Sequence, residues 1–288
     1  MAPLVEYLGP PGTFAHAGAD RLRTVPEGAV LEPRPTVQEI VHDVDEGRCD
    51  MGLVPVENSV EGGVTGTVDV LVFETTRVVL REEVVVPVTF SALRRAGDDA
   101  PPATVLSHPV GLAQCTRWWG SRSLECRPTT STSEACRLVA ASDEDGLVAI
   151  ASAKAGALAG LVAVETGIED HPGAETRFAL VAREELGPTG DDKTTVVVTP
   201  PSEVPGILLR LLEPIAARGL NLSNILSRPL RQGLGVYCFV LTIDRHASDP
   251  DVRGALDDLE ALGCTVKRLG SYPAWPPGAV GPGTGVGA

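Results

Sequence analysis

Gly146-Leu147-Val148-Ala149-Ile150-Ala151-Ser152-Ala153-Lys154-Ala155-Gly156-Ala157-Leu158-Ala159-Gly160-Leu161-Val162-Ala163-Val164 is apolar apart from Ser152 and Lys154, and its reading decides what kind of chain this is. As a membrane span it fails, because a central Lys costs about 2.5–3.5 kcal/mol and Ala and Gly return little. As a buried strand over 147–151 followed by a small-residue helix, it belongs to the core of an α/β domain.

The pattern repeats outward from there. Residues 4–8 read as a strand, and Thr36 caps a helix running to Glu46, with Glu39 completing a capping box. Residues 51–56 read as the next strand, 78–88 as β-rich, 104–106 as a short strand, 110–119 as helical and 131–141 as a helix. This alternation predicts parallel sheets covered by helices. Gly187, Pro188, Gly190, Asp191 and Asp192 then break the apolar pattern, which makes 184–193 a linker.

Beyond the linker the order is strand 194–199, helix 205–218, strands 220–227 and 235–244 paired around Arg231-Gln232-Gly233, helix 249–262 and strand 264–269. That βαββαβ order is the ferredoxin-like layout of two helices on one antiparallel sheet. From Pro273 to Ala288 Gly and Pro dominate, so a disordered tail is expected over 274–288.

The chain has 288 residues, 43% hydrophobic but only 4% aromatic, so its core is built mostly from Val, Leu and Ala. A formal net charge of −14 disfavours nucleic acid and anionic membranes as partners. A small anionic substrate stays open, because one buried Arg can dominate locally. The six cysteines lack ligand or redox-motif spacing and read as reduced core thiols. The five histidines never fall at metal-ligand intervals, so neither a metal nor a cofactor is expected. Without a signal-peptide pattern at the N-terminus, a cytoplasmic location is expected.

Three polar loops adjoin strands, where open α/β sheets bind ligands. They are Gly9-Pro10-Pro11-Gly12-Thr13-Phe14-Ala15-His16, then Glu57-Asn58-Ser59 after a buried strand, then Glu175-Thr176-Arg177-Phe178. The first offers helix N–H groups to an anion. The second brings an acid, an amide and a hydroxyl, and the third a hydroxyl, a guanidinium suited to a carboxylate and a ring. None of them is a phosphate loop or a dinucleotide fingerprint.

The combined motifs resemble the prephenate dehydratases over nearly the whole chain. The matches are Tyr7-Leu8-Gly9-Pro10 with Gly12-Thr13-Phe14 and His16, Val54 to Ser59, Ser107-His108-Pro109 with Leu112 to Cys115, Ser131 to Ala135, Ala149 to Ser152, Thr176-Arg177-Phe178 and Leu269 to Pro273. The resemblance implies a two-lobed, periplasmic-binding-protein-like catalytic domain over 1–183 and an ACT regulatory domain over 194–273. It implies a lyase that takes water and carbon dioxide from prephenate to give phenylpyruvate, in phenylalanine biosynthesis. Thr176 would then act on the leaving hydroxyl, with Glu57 or a bound water as proton source. Arg177 would hold a carboxylate, Phe178 would pack beside the ring, and Asn58, Ser59 and Thr13 would contact substrate.

The resemblance further implies a phenylalanine effector site at Gly206, Leu208, Asn221, Leu226, Ser227 and Arg228, and a homodimer or homotetramer. Leu226 stands where the family carries an acid, which puts inhibition by phenylalanine in question. Ala15, Gly63, Gly173 and Ala174 also stand where the family has polar side chains. Those departures motivate two competing readings: a lyase that decarboxylates prephenate or an amino-substituted relative without aromatising it, and a non-catalytic protein that binds small acids. His108 and Trp118-Trp119 read as a cap and as helix-end packing.

Overall fold

The structure, a computed structural model, describes residues 2–230 and 235–276. The first lobe runs β1 (Leu4–Leu8), α1 (Phe14–Ala19), β2 (Val30–Arg34), α2 (Val37–Glu46), β3 (Met51–Asn58), the short β4 (Gly62–Gly63), α3 (Thr65–Phe73) and β5 (Val79–Pro87). The chain then crosses into a second lobe of β6 (Ser91–Arg95), β7 (Thr104–Ser107), α4 (Pro109–Gln114), α5 (Thr116–Gly120), β8 (Glu125–Pro128), α6 (Thr132–Ala141), β9 (Leu147–Ala151), α7 (Ala153–Leu158) and β10 (Leu161–Thr166). It returns to the first lobe as β11 (Glu175–Ala182). The C-terminal domain is β12 (Asp192–Thr199), α8 (Ile207–Ala216), β13 (Leu222–Pro229), β14 (Tyr237–Ile243), α9 (Pro250–Ala261) and β15 (Thr265–Pro273).

The apolar stretch at 146–164 resolves as β9, buried at every residue, then α7 capped by the Ser152 hydroxyl on the Ala155 N–H. Its last part is not helical: from Leu161 it becomes β10, an edge strand antiparallel to β6. No helix among the described residues is long and apolar enough to cross a membrane.

The two lobes have separate sheets, ordered β2-β1-β3-β11-β5 and β10-β6-β9-β7-β8. Both are mixed rather than parallel. Strand β11 runs antiparallel to β3 and β5, and β6 antiparallel to β9 and β10. The reason is topological: the chain leaves the first lobe after β5 and re-enters between two strands already laid down, heading the opposite way.

The C-terminal sheet, β13-β14-β12-β15, is antiparallel throughout and gives the ferredoxin-like arrangement its element order predicted. One face carries α8 and α9 on a core of Val196, Leu211, Ile215, Leu241 and Leu259. Its other face is equally apolar, and Val197, Cys238, Val240, Leu269 and Tyr272 join Ile40, Leu71 and Val181 of the first lobe in one core cluster. The domain is therefore packed onto the first lobe through a continuous apolar interface.

Gly270, at φ +130°, permits the closest approach in that interface. A Cβ there would lie 2.5 Å from the Leu80 carbonyl oxygen. The segment expected as a tail is fixed at its start. The Ala274 N–H reaches the Asp191 carbonyl at 2.9 Å, and the Trp275 ring lies 4.9 Å from the Arg23 guanidinium. The expected turn at Arg231-Gln232-Gly233 and residues 277–288 lie outside the described residues.

Candidate active site

Thr176 sits at the start of β11, directly after the chain's return from the second lobe, and pairs in register with Asn58 at the end of β3. The Asn58 side-chain oxygen accepts the backbone N–H groups of Val60 and Glu61 at 2.9 and 3.1 Å. Those two donors fix the amide's orientation, so its nitrogen faces Thr176 and donates to Oγ1 at 3.0 Å. The Thr176 oxygen is thus an acceptor in this bond, and among the described residues its own proton has no acceptor.

The site lies where the lobes meet. Gln114 of α4 donates to the Glu61 carboxylate at 3.1 Å, linking the second lobe to the turn that Asn58 begins. The Ser152 hydroxyl donates to the Gly12 carbonyl at 2.8 Å, and a Cβ on Gly12 would lie 2.9 Å from the Ala155 Cα and 3.2 Å from the Ser133 Oγ. A Cβ on Gly111 would lie 3.4 Å from the Thr132 methyl. The first turns of α1, α4, α6 and α7 therefore crowd one region, and first-turn N–H groups have no partner within their own helix. Phe14 and Phe90 meet edge-to-face there at 5.4 Å, supplying an apolar wall.

The alternation of a β-strand divides the expected constellation. Phe178, on the same side as Thr176, is 3% exposed and belongs to the core between the first sheet and α1, so it does not reach a substrate ring. Arg177 points to the opposite side. Its Nε donates to the Glu57 carboxylate at 3.0 Å and its Nη1 to Glu83 at 2.6 Å, facing the C-terminal domain. Glu57 and Arg177 hold each other behind the sheet. Their expected roles as proton source and carboxylate clamp do not match this geometry.

Thr13 caps α1, accepting the His16 N–H at 3.3 Å and donating its proton to the Leu8 carbonyl at 3.0 Å, so its hydroxyl has no donor left for substrate. Ser59 ties its loop to β11 by bonds of 2.9 Å in both directions with Glu175. His16 stacks on Tyr7 at 4.9 Å and accepts the Gly12 N–H at Nδ1, and burial pushes its pKa down, which keeps it neutral. His108 caps α4, as its sequence context predicted, and Trp118 and Trp119 donate to Glu165 and to the Leu112 carbonyl. All six cysteines are free, and burial raises Cys115 and Cys136 to about 12, so neither is a ready nucleophile.

The effector positions divide in the same way. Leu226 and Arg228 share the face of β13 that meets the first lobe: Arg228 grips Asp69 through two bonds of 2.7 Å, and Leu226 lies against Gly63. Leu226 also lines a cavity between the two domains, beside Glu57, Glu83 and Arg177. Ser227 lies on the opposite face and is exposed. Gly206 opens α8 at φ +81° beside the half-exposed Leu208, and the Asn221 amide donates to Asp244 at 2.5 Å.

Sequence reasoning had the motif residues Gln114, Ser133 and Ser152 but no roles for them, and it missed Phe90, Glu83 and Lys193 altogether. No local pattern marks those three, because their partners come from distant strands.

A prephenate dehydratase family model matches residues 5–186 and an ACT domain model residues 194–261. The chain is 36% identical over 272 residues to a bifunctional chorismate mutase/prephenate dehydratase of Neisseria gonorrhoeae, covering 93% of this chain and 74% of that protein. Among solved structures, prephenate dehydratase from Arthrobacter aurescens in complex with L-Phe superposes with a TM-score of 0.84 at 35% identity, covering 94% of this chain and 90% of that one. GqqA, described as a novel type of quorum quenching acylase, superposes with a TM-score of 0.83 at 25% identity, covering 95% and 98%.

Proposed function

The chain belongs to the prephenate dehydratase family, and on that premise we propose that it converts prephenate to phenylpyruvate at the junction of its two lobes. In this reaction the bond from the ring to its hydroxyl breaks as the ring carboxylate leaves as carbon dioxide. The electron pair from the carboxylate carbon enters the ring, which becomes aromatic. Aromatisation supplies the driving force, so the protein has to stabilise the leaving oxygen and hold two carboxylates.

The observation that carries the reading is the Asn58–Thr176 bond, whose polarity leaves the Thr176 proton to donate to the departing hydroxyl. A threonine hydroxyl is too weak an acid to act alone. With Glu57 turned behind the sheet, Thr176 hydrogen-bonds the leaving oxygen as the bond breaks, and the proton that completes the departing water is taken up from bulk solvent. First-turn N–H groups left unpaired by the caps at Thr13, His108, Ser131 and Ser152 suit the two carboxylates, and the half-buried Phe14, backed by the buried Phe90, suits the ring.

Most of the departures that favoured a decarboxylase have packing explanations. Ala15 is buried in the first-lobe core, Ala174 is buried beside Phe90, and Gly63 faces Leu226 of the ACT domain. They remove nothing from the junction.

Phenylalanine is the proposed effector, as in the Arthrobacter complex, read through the ACT domain. With Arg228 held by Asp69, an effector carboxylate would use backbone N–H groups near Gly206 rather than that guanidinium. Leu209, 64% exposed, and Ile225, 47% exposed on the edge strand β13, support a homo-oligomer formed through this domain. Free thiols in every cysteine accord with a cytoplasmic location.

The fold alone does not separate this reading from an acylase; an assay does. Purified protein given prephenate at neutral pH yields an aromatic product identified by NMR as phenylpyruvate, and Thr176→Ala abolishes it. A non-aromatic product, or binding in calorimetry without turnover, overturns the reading. The same assay with phenylalanine added tests the effector.

A further inference from the structure

We propose that Glu83 and Lys193 are positioning residues through which the C-terminal domain fixes the strand pairing that presents Thr176 to substrate. The claim rests on the prephenate reading above.

Glu83 lies on β5, opposite Ala179 of β11, and is only 2% exposed. Its carboxylate accepts from Arg177 Nη1 at 2.6 Å, from Lys193 Nζ at 2.7 Å and from the Trp275 backbone N–H at 2.8 Å. Two of those three donors belong to the C-terminal part of the chain. Arg177 reaches onward to Glu57 on β3, so one guanidinium bridges both strands that flank β11.

The bridge spans an irregular place. Arg177 pairs with Glu57 but Phe178 pairs with Pro55, which leaves Val56 as the extra residue of a bulge. A slip of one residue there would turn Thr176 to the other face and break its bond to Asn58.

The guanidinium is incompletely packed. A cavity of about 270 Å³ adjoins Glu57, Glu83, Arg177 and Lys193, where interiors are ordinarily filled. The ion pairs are therefore what locate Arg177. Because Glu83 is desolvated, losing one cation there matters more than losing a surface pair.

The test uses the full chain with Lys193→Met, Lys193→Arg and Glu83→Gln. Lys193→Met lowers kcat by about tenfold or more, since a misplaced reacting group loses rate steeply, while KM moves by less than about twofold. Lys193→Arg restores the rate, which a loss of fold alone would not explain. Hydrogen exchange of the peptides covering residues 57–63 and 175–182 rises in Lys193→Met and not in Lys193→Arg. Glu83→Gln reproduces the Met variant if that one fails to fold. Unchanged kcat and exchange in folded Lys193→Met and Glu83→Gln overturn the proposal, as does a rate loss that tracks melting temperature and is not rescued by Arg. If the wild-type protein does not turn over prephenate, the functional reading fails and the exchange measurement alone decides the positioning claim.

Discussion

Asn58→Asp replaces one side-chain nitrogen by oxygen and tests the polarity on which the mechanism depends. In the wild-type protein the amide nitrogen donates to Thr176 Oγ1 at 3.0 Å while the amide oxygen accepts two backbone N–H groups. Asp keeps the acceptor for those two donors, so the loop stays in place. At the nitrogen's position it puts a second acceptor. The Thr176 hydroxyl then donates to the carboxylate, and its proton is withdrawn from the leaving group.

Diverting a hydrogen bond to a charged group amounts to about 1.5–3 kcal/mol. At 1.36 kcal/mol per factor of ten, kcat falls by roughly 10- to 150-fold. Thr176→Val removes the hydroxyl outright and should cost about 10²–10⁴ in kcat. If Asn58 acts only through Thr176, adding Asn58→Asp to Thr176→Val changes kcat no further, and the cycle's coupling energy equals the whole effect of the single Asp change. The assay is initial-rate phenylpyruvate formation, with circular dichroism confirming that each variant is folded. A folded Asn58→Asp enzyme within twofold of wild type would refute the reasoning, and so would simple additivity in the double variant.

Three other expectations follow from the geometry. Gly12→Ala places a Cβ 2.9 Å from the Ala155 Cα at a φ of +91°, so it should cost about 1–3 kcal/mol in urea unfolding and raise KM by spreading the lobes. His16 is held neutral, with a folded pKa below its ordinary 6.5, so the stability it contributes is complete above pH 6.5 and is lost as pH falls through the lowered value. Urea midpoints measured on both sides of that pH should show the loss, and His16→Gln should flatten it. Lys267 donates to the carbonyls of Leu71, Val72 and Thr75 at 2.7–3.0 Å, closing the C-terminal end of α3 from the ACT domain, and burial lowers its pKa. Lys267→Met strands the Val72 and Thr75 carbonyls, while that of Leu71 keeps the Thr75 hydroxyl at 3.1 Å, at about 1–3 kcal/mol, read as a lower melting temperature.

The amino-acid sequence by itself determined the features whose causes are local. The capping box at Thr36, Gly and Pro breaks, and the change of hydrophobic period place most helices and strands, and element order then dictates a ferredoxin-like C-terminal domain. Motif order indicated the family, and with it Thr176 and Asn58. Only the tertiary structure decided which side of the sheet each neighbouring residue serves. Thr176, Arg177 and Phe178 read as one polar loop, but β11 begins at Glu175, and the alternation of a strand sends Thr176 and Arg177 to opposite faces. The apolar residues from Ala179 read as a strand in the sequence, but its polar start at 175–178 is completed only by hydrogen bonds from β3 and β5, far away in the chain. For the same reason the ACT domain's grip on the first lobe, through Lys193, Arg228 and Lys267, left no trace in any local pattern: each of those cations finds its partner across an interface that exists only once both domains have folded.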